Sequence, residues 1–369
     1  MNFQLNLLTD EAQFFALAPE WNELLQESAA DNIFLTWEWL SAWLRWFGTE
    51  RQPWVVTARQ ADGRLLGAAP LAVRRRVQSG LLPYRELVFL GSNQAAPDHL
   101  DFIARRETAD MVAPALAQYV WDNRDQWDVL SLDSVTPQGT AVTHLRQCAP
   151  ARWQESREIV CPFTPLPSSW NDFRQQLGKN MRYNISRYDR KLAEAGDARY
   201  TQLADPAELP DALASLRRLH LIARRGEEAA AAFWHGRMTS FQQEIAARFL
   251  ANGWLRFYRL QLDGRDIGLT YNFYYANKLS YYMTGYDEAW RRYGPGRQIM
   301  AYTIRRAIGE GARELDFLRG EEAYKFSWAA QSRLTLHLKI AAGSRGRLLM
   351  QARRFKAGWR ATPAAPSTA

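Results

Sequence analysis

Apolar residues recur along this chain at two periods. Trp54–Gln60 runs into Asp62-Gly63 and then Gly67–Val73, and far downstream Trp254–Leu262 runs into Asp263-Gly264 and then Gly268–Tyr275. Each stretch reads as an apolar strand, an Asp-Gly hairpin turn and a second strand. In both, a glycine follows four residues after the turn glycine, and a tryptophan opens the first strand. Matching positions in both halves predict a duplicated domain. The first half continues through Glu86–Ser92 and Asp98–Ala104, the second through Leu279–Asp287. Leu334, Leu336, Leu338 and Ile340 alternate as in a half-buried strand. Between Phe34 and Phe47 the apolar residues fall at 36/37, 40, 43/44 and 47, the spacing of a helix, and the run carries no basic face, which predicts a core-facing helix.

Proline marks the expected boundary. Cys161-Pro162-Phe163-Thr164-Pro165-Leu166-Pro167 holds three prolines, which argue against a continuous helix or a central strand. Ser168 or Ser169 then caps a helix through Trp170–Leu177, Gly178 interrupts it, and a basic helix reaches about Leu192. An Ala-rich helical region covers 206–251, with a break at Arg225-Gly226. The expected division is therefore 1–160, 161–345 and a basic helical segment with a frayed tail over 346–369.

The chain has 369 residues, enough for two ordinary domains, and its 47% hydrophobic and 23% charged content fits a folded protein. Fifteen tryptophans imply well-filled cores or aromatic-lined clefts. No apolar run reaches the roughly 18 residues that span a bilayer. Met1–Phe15 lacks the basic and apolar segments of a signal peptide, so the sequence reads as cytoplasmic. Cys148 and Cys161 give no metal spacing or disulfide framework, and the five histidines form no recognisable ligand pair, which argues against a metal enzyme. A net charge of +8 favours anionic ligands: CoA, tRNA, an acidic glycan or an anionic lipid surface.

Arg291–Trp328 concentrates the candidate chemistry. A Gly294-Pro295-Gly296 turn flanked by arginines opens an Ala/Ile-rich helix, and a strand, Glu314–Leu318, then leads into Arg319-Gly320-Glu321-Glu322-Ala323-Tyr324-Lys325. A helix N-terminus offers unpaired N–H groups and a positive dipole end, which suits a phosphate-bearing ligand. Pro295 lacks an N–H, so such a cradle would draw on Gly294, Gly296, Arg297 and Gln298. An ordinary strand–turn–helix with surface arginines is the competing reading.

These residues, with Tyr281–Asp287 before them and Trp328 after, resemble the acetyltransferases of cellulose and exopolysaccharide synthesis, the CelD/BcsL-like group of the GNAT superfamily, and through it the FemAB-type transferases. The first half is similar more loosely, through Trp43, Trp46, Gly67, Pro70-Leu71, Leu90-Gly91-Ser92 and Asp98. The resemblance implies an α/β (α+β) fold of two tandem GNAT-like domains, each a mixed, mainly antiparallel sheet flanked by helices. It implies an acyl-CoA co-substrate, most simply acetyl-CoA, and no metal. Its (Gln/Arg)-x-x-Gly-x-(Gly/Ala) loop falls on Arg291-Arg292-Tyr293-Gly294-Pro295-Gly296, with Pro295 a departure from the common form. The acceptor it implies is an amine or hydroxyl, on a saccharide or its precursor. FemAB-type relatives use aminoacyl-tRNA instead, and a non-catalytic accessory protein of polysaccharide assembly is the third alternative.

Acyl transfer from a thioester needs a base more than a leaving-group acid, since a thiol of pKa about 8.5 departs readily while an ammonium near 10.4 must first lose a proton. Glu321 and Glu322 follow the strand that carries Asp316, where a carboxylate could face the cleft and serve as that base, each raising the other's pKa; Glu321 and Asp316 are candidate catalytic residues. Tyr324 could protonate the departing sulfur. Lys325 could stabilise the oxyanion, or else pair with Glu321 or Asp316. Arg291, Arg292, Gly294, Gly296, Arg297, Gln298 and Tyr286 are the candidate cofactor-binding residues. Asp98, His99, Asp101, Tyr282 and Arg319 are the candidate acceptor-binding residues. Lys179, Arg182, Arg187, Arg190 and Lys191, interleaved with Tyr183 and Tyr188, form either an RNA- or glycan-tracking segment or a solvated helix face.

Overall fold

Both Asp-Gly turns close hairpins in the computed structural model, which describes residues 2–78, 82–92, 94–150 and 153–360. In chain order the strands are β1 (Phe3–Leu8), β2 (Arg51–Gln60), β3 (Leu65–Gln78), β4 (Leu82–Phe89), β5 (Ile103–Ala104), β6 (Val129–Val135) and β7 (Trp153–Pro165). The second half supplies β8 (Ala198–Gln202), β9 (Leu255–Leu262), β10 (Arg265–Tyr275), β11 (Lys278–Tyr286), β12 (Glu314–Asp316) and β13 (Gln331–Ala341). Gly63 and Gly264 take up positive φ at the turns, as the hairpin geometry requires.

The repeated glycines four residues on have a shared cause. A Cβ at Gly67 would stand 2.5 Å from Val112 of the Ala109–Asp122 helix, and one at Gly268 would stand 3.3 Å from the Pro295 carbonyl oxygen of the Pro295–Gly309 helix. In each half the glycine lets a crossover helix lie close on the hairpin. That helix then joins two parallel strands, β4 to β6 in the first half and β11 to β12 in the second.

The halves are not independent. One mixed, mostly antiparallel sheet runs β1-β2-β3-β4-β6-β13-β7-β12-β11-β10-β9-β8, with β5 on β3. Their last strands are exchanged: β7 pairs with β12 of the second half, and β13 pairs with β6 of the first. The boundary expected at 160/161 therefore falls inside β7. Pro162 and Pro165 sit in that central strand, against the reading that their prolines exclude one. Proline keeps its acceptor, and the Pro162 carbonyl receives the Phe317 N–H at 2.9 Å, while Pro165 is the strand's last residue.

A single core joins the halves. Trp39 and Trp43 of the Trp37–Phe47 helix are fully buried, and Trp39 packs edge-on against Phe241, Phe273 and Tyr282 of the second half. Truncating either tryptophan would cost about 3–5 kcal/mol. The Trp46 indole N–H donates to Glu244 at 2.7 Å at the edge of this seam. Among the described residues no helix is long and apolar enough to cross a membrane.

The fold opens a cleft in the second half. β11 and β12 pair only from Lys278/Glu314 to Ser280/Asp316, after which β11 runs on to Tyr286 while the other chain turns away. Leu318 (φ +56°) and Gly320 (φ +120°) make that turn, into the short Ala323–Phe326 helix. Ligands of α/β sheets favour such points of divergence. The Leu209–Ala223 helix closes the cleft from one side, so tightly that a Cβ on Gly285 would lie 2.5 Å from the His220 nitrogen.

Candidate active site

Two chambers meet in this cleft. One, of about 520 Å³, is bordered by Tyr188, Tyr286, Arg291, Gly294, Gly296 and Arg297. The other, of about 470 Å³, is bordered by Asp98, His220, Tyr282, Arg319 and Lys325. They share a wall of Arg224, Glu227, Tyr281, Thr284, Glu322 and Tyr324.

The first chamber has the helix N-terminus at its edge. Gly294 is left-handed (φ +62°), and a Cβ there would meet the Tyr188 ring at 2.7 Å, so only glycine fits. The Gly294 N–H donates to the Arg291 carbonyl and the Gln298 N–H to the Gly294 carbonyl, both at 3.0 Å. Helix geometry leaves the N–H groups of Gly296 and Arg297 without intrahelical partners. Four expected donors reduce to two. Gln298 is also withdrawn as a ligand: it is buried, and its side-chain amide donates to the Ile185 carbonyl at 2.7 Å. Arg291 and Arg297 border the chamber, and the Arg297 guanidinium lies 5.5 Å from the Tyr188 ring. Arg292 turns away and lies over the Tyr293 ring. Tyr286 packs on Gly296, where a Cβ would approach its ring to 3.0 Å. The residues present fit a phosphate-bearing group, which Gly296, Arg297 and Arg291 would hold.

The shared wall carries charged and titratable side chains. Glu322, not Glu321, faces both chambers; Glu321 is exposed and borders neither. The Glu322 Oε1 accepts from Arg224 at 2.9 Å, and its Oε2 lies 3.0 Å from the Lys325 ammonium. Both carboxylate oxygens are thus paired with a cation. Burial pushes the Glu322 carboxyl up, but Lys325 and Arg224 outweigh it and hold the group below the usual range. Lys325 is buried and donates to the Arg319 carbonyl at 2.6 Å; its acidic partner is Glu322 rather than Glu321 or Asp316. Gly320 makes this packing possible, because a Cβ there would lie 2.2 Å from Glu322 Oε2. Tyr324 exposes 39% of its surface at the junction, while burial of its phenol and the Glu322 carboxylate push its pKa upward and keep it protonated.

Two residues of the second chamber escape the sequence reading. Arg224 spans the wall, bonding Glu227 at 3.0 Å as well as Glu322. His220 accepts the Trp234 indole N–H on Nδ1 at 3.1 Å. An indole only donates, so the ring is neutral and its own proton sits on Nε2. Burial, aided by Arg224, lowers the His220 pKa to about 4. His220 thus supplies a hydrogen-bond donor, not a base. The sequence signal was available: His220 shares the buried helical stripe of Leu209, Leu213 and Leu216.

Several expected acceptor-binding residues serve the seam instead. Asp98 is fully buried and pairs with Arg319, accepting its backbone N–H at 2.9 Å and its Nε at 3.0 Å. The same guanidinium donates to the Pro97 carbonyl and Ser134 Oγ. Both residues border the second chamber, with their polar groups already engaged. Asp316 is fully buried, borders neither chamber and bonds His99 Nε2 at 2.8 Å. Burial pushes the Asp316 carboxyl up, but His99, Arg333 and the Leu318 N–H together hold it at about 2, which removes it as a base. Asp101 caps the Thr140–Cys148 helix, accepting the N–H groups of Thr140, Ala141 and Phe102. His99 and Asp101 border a separate cavity of about 990 Å³ on another face. Tyr282 donates to the Ala95 carbonyl at 2.7 Å and packs on Phe273. Ala96, His99, Ser134 and Leu318 all hold positive φ around this knot, each costing on the order of 1 kcal/mol.

Comparison with known proteins fits this geometry. Residues 179–326 match the family model described as an acetyltransferase (GNAT) domain. This part of the chain is thus similar to a GNAT acetyltransferase domain. Its limits enclose the Gly294–Arg297 helix terminus, Arg224, His220 and the Glu322–Lys325 cluster. No curated protein matches the sequence. Among solved structures, FemX is similar over 95% of this chain and 99% of its own, with a TM-score of 0.61 at 11% identity. A protein of unknown function from Bacteroides thetaiotaomicron VPI-5482 covers 92% of this chain and 100% of its own, with a TM-score of 0.54 at 12% identity. The C-terminal domain of a putative lysylphosphatidylglycerol synthetase from Agrobacterium fabrum covers 93% and 97%, with a TM-score of 0.53 at 12% identity. At such identities the likeness is one of fold.

Proposed function

We propose that this protein is an acyl-CoA-dependent acyltransferase, most simply an acetyltransferase, that carries an acyl group between the two chambers to an amine or hydroxyl acceptor. The observation that carries this reading is the Glu322 carboxylate, set between Arg224 and Lys325 on the wall shared by both chambers. The donor's pyrophosphate lies at the N–H groups of Gly296 and Arg297, with Arg291 and Arg297 supplying charge. Its thioester reaches the wall beside Tyr324. The acceptor enters from the Asp98–His220 side and hands its proton to Glu322. The weak basicity of Glu322 suits an acceptor that binds already neutral, or a hydroxyl whose proton leaves as the new bond forms. Tyr324 donates a hydrogen bond to the departing thiolate, and the His220 Nε2–H and Lys325 are the donors available to the oxyanion. A saccharide acceptor, as the sequence resemblance implies, suits a chamber whose wall alternates cationic and anionic groups.

The test is thiol release from acetyl-CoA with a panel of amino sugars and simple amines. Release above the hydrolysis rate, lost in Glu322→Gln, supports the reading. No acceptor-dependent release from any acyl-CoA counts against it. One observation favours a second reading, transfer from aminoacyl-tRNA: Lys179, Arg190 and Lys191 are exposed on the Lys179–Ala195 helix, which also supplies Tyr188 to the donor chamber. Charge reversal at those three positions separates the two, since it leaves CoA-dependent transfer unchanged.

A further inference from the structure

A further cavity, of about 380 Å³, lies among three helices, Trp170–Gln176, Lys179–Ala195 and Pro295–Gly309, beside Tyr200 of β8. Each helix turns an i, i+4 pair towards it: Trp170 and Arg174, Ile185 and Asp189, Ala301 and Arg305. None of its residues borders either acyl-transfer chamber. The two longer helices reach the donor chamber through other positions, Tyr188, Gly296 and Arg297. The buried Gln298 amide, bonded to the Ile185 carbonyl at 2.7 Å, ties those helices together at the cavity's edge.

Three rings and three charges line this space. Tyr200 and Tyr302 stack at 4.9 Å with 20° between their planes, and Trp170 adds the third ring. The charged groups are Arg174, Arg305 and Asp189. Among the described residues no ion pair joins them or engages either arginine. The Arg174 guanidinium donates to Ser186 Oγ at 3.4 Å. Burial pushes the Asp189 carboxyl up, and Arg174 and Arg305 act against it without outweighing it. Part-buried arginines elsewhere do contact a carboxylate, as Arg259 contacts Asp266 and Arg256 contacts Glu310. Two cations against one acid leave this cavity one positive charge in excess.

We propose that this cavity binds a small planar carboxylate, its oxygens held by the Arg174 and Arg305 guanidinium groups and its flat body lying along the aromatic side chains. A monoanion supplies the missing charge, and guanidinium forks match the plane of a carboxylate. The cavity has the size of a small-molecule site, and its rings reward a flat apolar body. Inorganic phosphate fits less well, because it offers the aromatic side chains nothing to stack.

The test is calorimetric titration of the full chain with benzoate, acetate and inorganic phosphate as separate probes. The expected result is saturable binding of benzoate, tighter than that of acetate or phosphate and weakened by added salt. Arg305→Glu and Arg174→Gln should each weaken it at least about tenfold. Trp170→Leu should weaken it severalfold while keeping the salt dependence. Arg305 is exposed, so its replacement leaves the core intact, and thermal melting checks that every variant stays folded. Gly296→Glu, which alters the donor chamber, should bind benzoate as the wild type does. Absence of benzoate binding overturns the proposal, as does binding that both folded arginine variants retain in full or that Gly296→Glu abolishes. Phosphate binding tighter than benzoate binding, lost in Arg305→Glu, also overturns it in favour of a phosphate site.

Discussion

Arg224 reaches from the end of the Leu209–Ala223 helix to bond Glu322 at 2.9 Å, across the wall that both chambers share. The contact fixes one carboxylate oxygen, and the Lys325 ammonium lies 3.0 Å from the other. It also separates Glu322 from its neighbour Glu321, although the two are chemically identical.

Glu322→Gln should lower kcat on the order of 10²- to 10³-fold with little change in donor affinity. Glu321→Gln should leave both unchanged. Steady-state kinetics on the two variants decide it; equal losses would contradict the assignment of the base.

Gly320→Ala should destabilise the protein by about 2 kcal/mol or more, because φ is +120° and the new Cβ would stand 2.2 Å from Glu322 Oε2. Gly63→Ala is the matched control, with φ +91° and nothing within 4 Å of the new Cβ, and should cost about 1 kcal/mol. Urea midpoints measure both.

The His220 pKa, lowered from 6.5 to about 4, ties stability to pH. Between those values the unfolded chain binds the extra proton, so this contribution is complete above pH 6.5 and is lost as pH falls through about 4. The shift bounds it at about 3 kcal/mol. Relative to His220→Gln, the wild type should therefore lose stability over that window, as denaturant titrations at several pH values would show. Parallel pH profiles for the two proteins would contradict a neutral His220.

Asp98→Ala leaves the Arg319 guanidinium without its carboxylate and should cost about 3 kcal/mol or more. Adding Arg319→Met should recover part of that loss, a coupling that a double-mutant cycle measures.

Local features were legible where a residue's own backbone demands were involved. The two Asp-Gly hairpins, the glycines under each crossover helix, the Trp37–Phe47 helix and the Gly294 turn all follow from short-range sequence. The exchange of β7 and β13 could not be read, because strand partners of high sequence separation leave no local mark, and prolines argued against β7. For the same reason Asp98 and Arg319 were both singled out for a ligand, yet they bond each other. The choice between Glu321 and Glu322 fell in a turn, where neither helix nor strand period says which side chain points inward. His220 was overlooked because a lone histidine has no motif, even though its place in an apolar helical stripe distinguished it.

The most direct test of the central claim is calorimetric titration of the protein with acetyl-CoA, alongside Gly296→Glu. That substitution crowds the Tyr286 ring and places an anion at the helix N-terminus. Wild-type binding that the folded variant loses is the predicted result. A folded wild type that binds neither acetyl-CoA nor longer acyl-CoAs, or a variant that binds equally well, would contradict the account.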